Sequence, residues 1–194
     1  LIQRFVRRYY PRVEMLANRR TEGLSGALNS GIDHLARTEE SPSEVFIAVL
    51  DDDDLWLEDH LEECITTANS NCSNMVVSGL IRKTDESGSG HRHSIPDQLD
   101  SNELFIRGQH IQGSNLFLTF ELLLQVGMFD EHLPSCTDRD LCIRLSRLPS
   151  LRSSSAVRHT VVHYAEARPD RLSTPGSTRK NLGLERFWRK HASS

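Results

Sequence analysis

Asp51 to Asp54 are four consecutive aspartates placed directly after an apolar run, Val45 to Leu50. Carboxylates this close repel one another strongly unless a cation or hydrogen-bond donors sit among them. Asp51 and Asp53 lie two apart, so in an extended chain their side chains share a face and suit two oxygen ligands of a hard divalent ion such as Mg²⁺ or Mn²⁺. A plainer use, a carboxylate capping a helix that begins near Leu57, explains one aspartate and leaves three. An EF-hand is excluded, because Leu55 and Trp56 stand where a ligand and the turn glycine belong. Further along, Asp138 lies three residues before Leu141 and seven before Leu145, which puts it on the inward face of a helix near its amino end. There it can point into a cleft or cap the helix start. Asp140, four before Arg144, reads as a solvated pair on the outer face of that helix. Arg168, Arg171 and Ser173 fall in a polar loop where arginines could grip a diphosphate, or simply be solvated.

These residues need elements to hold them. The spacing predicts an amphipathic helix over Leu1 to Tyr10, a strand over Val13 to Ala17, and a helix carrying Leu24, Leu28, Ile32 and Leu35. Val45 to Leu50 reads as a fully buried strand ending at the aspartates, followed by a helix with Leu57, Leu61, Ile65 and Ala68 inward. Met75 to Ile81 reads as a strand, Lys83 to Ser101 as a polar surface loop, and Leu116 to Phe120 as apolar chain. A short helix over Glu121 to Gly127, a helix over Thr137 to Leu148, a strand over Val157 to Tyr164, a loop over Ala165 to Ser177 and a terminal helix over Arg179 to His191 complete the pattern. Strands alternating with helices point to an α/β fold with a mostly parallel sheet in one domain, residues 1–194.

The chain has 194 residues and a formal net charge of -4, which offers no broad positive field for nucleic acid. No apolar run reaches the roughly 18 residues a spanning helix needs. Four cysteines without a CxxC pair suggest neither a zinc ribbon nor a redox dithiol, so the expected location is cytoplasmic, at most at the inner face of a membrane.

The run Gly23-Leu24-Ser25-Gly26-Ala27-Leu28-Asn29-Ser30-Gly31-Ile32, followed by Leu50-Asp51-Asp52-Asp53-Asp54-Leu55-Trp56-Leu57, resembles the "GlsxARNxGI" and "LDxDDxW" patterns of glycosyltransferase family 2. Gly127-Met128-Phe129-Asp130-Glu131 and Thr137-Asp138-Arg139-Asp140-Leu141-Cys142-Ile143-Arg144-Leu145 look like that family's "GxFDE" and "EDxDLxxRL". The resemblance implies a GT-A fold, Rossmann-like, that transfers a sugar from a nucleotide-diphospho-sugar to a saccharide or other acceptor hydroxyl with inversion. It implies a donor site that includes Gly23, Asn29, Asp51, Asp52 and Asp53, with Arg171 as a further diphosphate contact. It implies Mn²⁺ or Mg²⁺ on Asp51 and Asp53, completed by His163 at the end of the last strand, and Asp138 as the catalytic base. Gly113, Ser114 and Asn115 correspond to a segment lining the donor or acceptor pocket.

Two positions depart from the pattern: Leu28 replaces the usual Arg and Thr137 the usual Glu. The family's opening strands and its "DDGS" motif have no counterpart, so the expectation is a domain truncated at its amino end. An edge left open by missing strands favours self-association, and a homo-oligomer is among the expected partners. Two alternatives stand beside the transferase: a non-catalytic GT-A-like binding module, and a metal-dependent phosphotransferase or phosphatase using Asp51 as nucleophile.

Overall fold

The structure, a computed structural model, describes residues 12–38, 40–83, 90–164 and 176–192. The helix expected over Leu1 to Tyr10 lies outside them. Six helices and six strands are formed among the described residues: α1 Leu24–Thr38, β1 Phe46–Ala48, β2 Asp54–Trp56, α2 His60–Ser70, β3 Met75–Lys83 and β4 His91–His93. After these come α3 Ser101–Ile106, a 3₁₀ turn at Gly113–Asn115, β5 Leu116–Thr119, α4 Phe120–Gln125, α5 Thr137–Ser146, β6 Ser153–Tyr164 and α6 Thr178–His191.

The sheet runs β1-β5-β3-β6-β2, with β4 also on β3. It is mixed and not mostly parallel: β3 and β6 pair in parallel, while the β1–β5, β3–β5, β3–β4 and β2–β6 pairs are antiparallel. An apolar run marks a strand without naming its partner. β3, buried from Met75 to Leu80, has the two-sided burial that parallel pairing normally brings. The Val45–Leu50 run does not: β1 is three residues long and half-buried, Val49 is buried, and Leu50 is exposed. β2, which sits between the aspartates and the helix expected from Leu57, zips against β6.

Two other expectations shift. Val13 to Ala17 forms no strand, and the Lys83–Ser101 segment contains β4. α2 turns a different face inward: His60, Cys64 and Ala68 are buried, while Leu61 and Ile65 stay exposed. The sheet offers polar partners there, since His60 Nδ1 meets Thr160 Oγ1 at 2.9 Å and Cys64 Sγ meets Ser78 Oγ at 3.2 Å. A satisfied polar pair can decide a helix face against the apolar pattern.

The main core packs α3, α4, α5 and α6 against one side of the sheet through Leu104, Leu122, Leu141, Leu145 and Phe187, all essentially buried. α6 lies close on the chain before α5 because residue 183 is glycine; a Cβ there would sit 2.0 Å from Ser135 Oγ and 2.7 Å from its backbone nitrogen. That contact brings the start of α6 beside the aspartates. No helix among the described residues is long and apolar enough to cross a membrane.

Candidate active site

The aspartate run leaves the sheet between β1 and β2 and is fixed by hydrogen bonds to the 3₁₀ turn and to Gln112 just before it. Asp51 N–H donates to Ser114 Oγ at 3.0 Å, and Trp56 Nε1 donates to the Ser114 carbonyl at 2.8 Å. Gln112 Nε2 donates to Asp54 Oδ2 at 2.9 Å. Gly113 lies so close that an added Cβ would stand 3.5 Å from Asp51 Oδ2. The Gly113–Asn115 segment therefore shapes the acidic site, and Asn115 is spent on the Ser78 and His110 carbonyls.

Asp51, Asp53 and Asp54 each bring a carboxylate oxygen within 4.8 Å of the others. Burial raises the Asp51 carboxyl to about 6, helped by the negative charges of Asp138, Asp54, Asp53 and Asp52. Three hard oxygen donors at this spacing suit a divalent cation, and Asp54 joins a set that sequence spacing restricted to Asp51 and Asp53. His163 faces Asp54 across the β2–β6 ladder, and its Nδ1 meets Asp54 Oδ1 at 2.8 Å. It stands beside the cluster and orients Asp54.

A cavity of about 650 Å³ opens on this cluster. Gly23 at the start of α1, Asp51, Asp52, Asp53, Asp138 and His163 all line it. Asp138 is half-buried in the first turn of α5, with Thr137 Oγ1 donating to its Oδ1 at 2.9 Å. Arg171, with Arg168 and Ser173, lies outside the described residues. Among the described residues, the cations on the cavity wall are Arg139 and, from α6, Arg179, Lys180 and Arg186. Sequence reading missed the α6 residues; the signal was there in the basic first turn Thr178-Arg179-Lys180, but nothing local shows that this helix folds back to the aspartates.

Asn29 does not line the cavity. It is buried in α1, where its amide donates to the Phe129 carbonyl at 2.9 Å and Glu131 Oε1 at 2.8 Å and accepts from Phe129 N–H at 3.1 Å. Its place is to lock α1 onto the Gly127–Glu131 turn. Glu131 also accepts from Arg20 Nε at 2.5 Å and Thr21 N–H at 3.1 Å, and these donors, Asn29 first, hold its carboxyl at about 2.

Asp140 is a correction. It is fully buried, not solvated on the outer face. Oδ2 accepts from Arg144 Nε at 2.8 Å, and Oδ1 accepts from His191 Nε2 at 2.8 Å and Lys190 Nζ at 2.7 Å. The i,i+4 spacing found Arg144 and could not show that α6 covers the pair.

The family model for glycosyl transferase family 2 matches residues 1–127. The chain belongs to glycosyl transferase family 2. The matched span holds Asn29 and the aspartate run, while Asp138 and His163 lie beyond it. An uncharacterized glycosyltransferase of Rickettsia bellii is 30% identical over 137 residues, 66% of this chain and 19% of that protein, so the chain spans about a fifth of that relative. The crystal structure of S. aureus TarS 1–349 in complex with UDP-GlcNAc superposes with a TM-score of 0.51 at 14% identity, covering 93% of this chain and 55% of that one. At that identity the likeness shows the fold alone: a GT-A type mixed sheet with flanking helices. The complex of the same protein with UDP gives a TM-score of 0.49 at 15% identity over 86% of this chain and 51% of that one. Family membership sets aside the phosphotransferase reading.

Proposed function

We propose that this chain carries the catalytic centre of an inverting, divalent-metal-dependent transferase that moves a sugar from a nucleotide-diphospho-sugar to an acceptor hydroxyl. The observation that carries it is the meeting of Asp138 with the Asp51–Asp53 pair on one cavity, close enough for the Asp138 charge to help raise Asp51. A base and a cation-binding pair in one cleft are what such a transfer requires.

Asp51, Asp53 and Asp54 would hold Mn²⁺ or Mg²⁺, with His163 orienting Asp54. When bound, the ion neutralises charge on the diphosphate as it departs. Arg179 and Lys180, on the cavity wall in the first turn of α6, add positive charge to the same leaving group, where the helix dipole also favours an anion. Asp138 takes the proton of the acceptor hydroxyl as that oxygen attacks the anomeric carbon. The new C–O bond forms as the bond to the diphosphate oxygen breaks, and its electron pair leaves with the nucleotide. Attack from the face opposite the leaving group inverts the configuration.

The test is product analysis with the full-length protein, a panel of nucleotide sugars and Mn²⁺. Transfer with an inverted anomeric linkage supports the reading. Metal-independent transfer, or retention of configuration, overturns it.

A further inference from the structure

The Asp54 side chain is only 1% exposed, and each of its oxygens meets a protein donor. His163 Nδ1 stands 2.8 Å from Oδ1, and Gln112 Nε2, from a residue 58 positions away in the chain, stands 2.9 Å from Oδ2. A carboxylate has about four lone-pair sites, so both oxygens keep one that an ion can use. Gln112 is neutral. It holds the carboxylate without bringing a positive charge that would compete with a cation.

The direction of the Gln112 amide is set by the turn that follows it. Its side chain accepts from Asn115 N–H, while Asn115 Oδ1 accepts from Gln112 N–H at 3.0 Å, a reciprocal cap on the 3₁₀ turn. Only the amide oxygen can accept, so it faces the turn and Nε2 is left facing Asp54. Asn115 is tied in its turn to the central strand β3 through the Ser78 carbonyl at 3.1 Å.

The chain just before Gln112 is bent hard. Gly108, Gln109 and His110 have φ of 78°, 48° and 57°, three successive residues in left-handed backbone, two of them with side chains that disfavour it. Such a conformation persists where its surroundings fix it, and it gathers at sites where an atom must be placed. Here Ile111 N–H donates to the Gly108 carbonyl at 3.1 Å, and Asn115 Nδ2 donates to the His110 carbonyl at 3.1 Å. Gly108 itself lies against Arg139, where a Cβ would stand 3.1 Å from Cδ. Arg139 follows Asp138 in α5, so residues 108–112 run from the helix that presents Asp138 to the carboxylate of Asp54.

We propose that Gln112 is a positioning residue of the cation site, holding Asp54 in the orientation in which it shares a divalent ion with Asp51 and Asp53. The inference rests on the reading of these aspartates as a cation site and adds a residue that acts through Asp54. Without an ion, the three carboxylates repel one another. With the Gln112 donor gone, Asp54 can turn away from its neighbours, and an ion must gather it back at the expense of affinity.

The test is Mn²⁺ binding to the full-length protein, with and without UDP, followed by electron paramagnetic resonance of the unbound ion. Gln112→Met removes both the donor and the cap. Gln112→Asn keeps an amide to cap the turn and falls one methylene short of Asp54. Each is made in wild type and in Asp54→Ala, with thermal unfolding measured throughout. Both should weaken Mn²⁺ binding by about 10-fold or more in wild type, the scale of losing a partner behind a metal ligand. In Asp54→Ala the same changes should move affinity by less than ~2-fold, because the effect passes through Asp54. Wild-type Mn²⁺ affinity in Gln112→Asn, or an equal loss in the Asp54→Ala background, overturns the proposal, makes Gln112 a turn cap alone and leaves the cation site standing. A wild type that binds no Mn²⁺, with or without UDP, overturns the cation reading itself and the role of Gln112 with it.

Discussion

Asp140 and His191, 51 residues apart, meet at 2.8 Å in the interior and tie α5 to α6. The same carboxylate takes Lys190 and Arg144, and Arg144 continues to the Val126 and Met128 carbonyls at 2.8 Å. One buried charge thus holds together the helix that presents Asp138, the helix that presents Arg179 and Lys180, and the turn that Asn29 clamps from α1.

Removing it should be costly. Asp140→Ala leaves Arg144 without its buried counter-charge while Lys190 keeps Asp130, and breaking such a network typically costs about 3–5 kcal/mol. Denaturant unfolding should show a loss of that order, and Asp138→Asn a much smaller one. An Asp140→Ala protein as stable as wild type would mean that α6 is not held by this contact.

Asp138→Asn is nearly isosteric and cannot take the acceptor proton. A positioned base contributes about 100-fold to 10,000-fold, so turnover should fall by that order while donor affinity is kept. Steady-state transfer rates and donor binding on the full-length enzyme check it; unchanged turnover would remove Asp138 from the mechanism.

Asp51 makes metal binding sensitive to pH. Its carboxyl titrates at about 6, above its ordinary 3.8, so below pH 6 a cation must compete with a proton. Mn²⁺ affinity should weaken by up to ~10-fold per pH unit as pH falls below about 6 and be nearly flat above it. For folding the sign is opposite. A raised carboxyl favours the folded state when protonated, so in the absence of metal the stability contributed by Asp51 is present below pH 3.8 and is lost as pH rises through about 6. Asp51→Asn should remove that dependence in metal-free unfolding measurements; a pH profile identical to wild type would show that Asp51 is not the titrating group.

What the sequence shows depends on the range over which each signal acts. The aspartate run is local chemistry, and four adjacent carboxylates demand a partner wherever the chain goes. Asp138 was legible for the same reason, since helical spacing places it inward before any fold is known. Strand pairing was not: β3 joins β6 across some 80 residues, and β2 exists only because β6 offers it a ladder. Asp140 failed on the same ground, because an i,i+4 partner is visible within α5 but the burial comes from His191 and Lys190 at the far end of the chain. Asn29 matched the family's donor-site motif, yet its neighbours in the fold take both of its amide protons and one acceptor position of its oxygen.

Arg179 and Lys180 supply the last test, because they reach the cavity only through α6. Ser177 caps that helix, its Oγ accepting from Lys180 N–H at 3.2 Å, and Gly183 sets it against Ser135, so the two cations stand at a fixed helix start. A diphosphate bound in the cavity should interact with both charges and with the positive end of the helix dipole, whereas a nucleoside carries little charge to recognise. Replacing both by glutamine removes the charges and leaves the backbone donors. Nucleoside diphosphate affinity in the presence of Mn²⁺ should fall by ~10-fold or more, nucleoside affinity should barely move, and the salt dependence of diphosphate binding should become shallower. Thermal unfolding of the variant should match wild type, since no acidic partner of either residue is lost among the described residues. Equal loss for nucleoside and diphosphate would mean that the substitutions disturb the pocket as a whole, and an unchanged diphosphate affinity would place the leaving group away from α6.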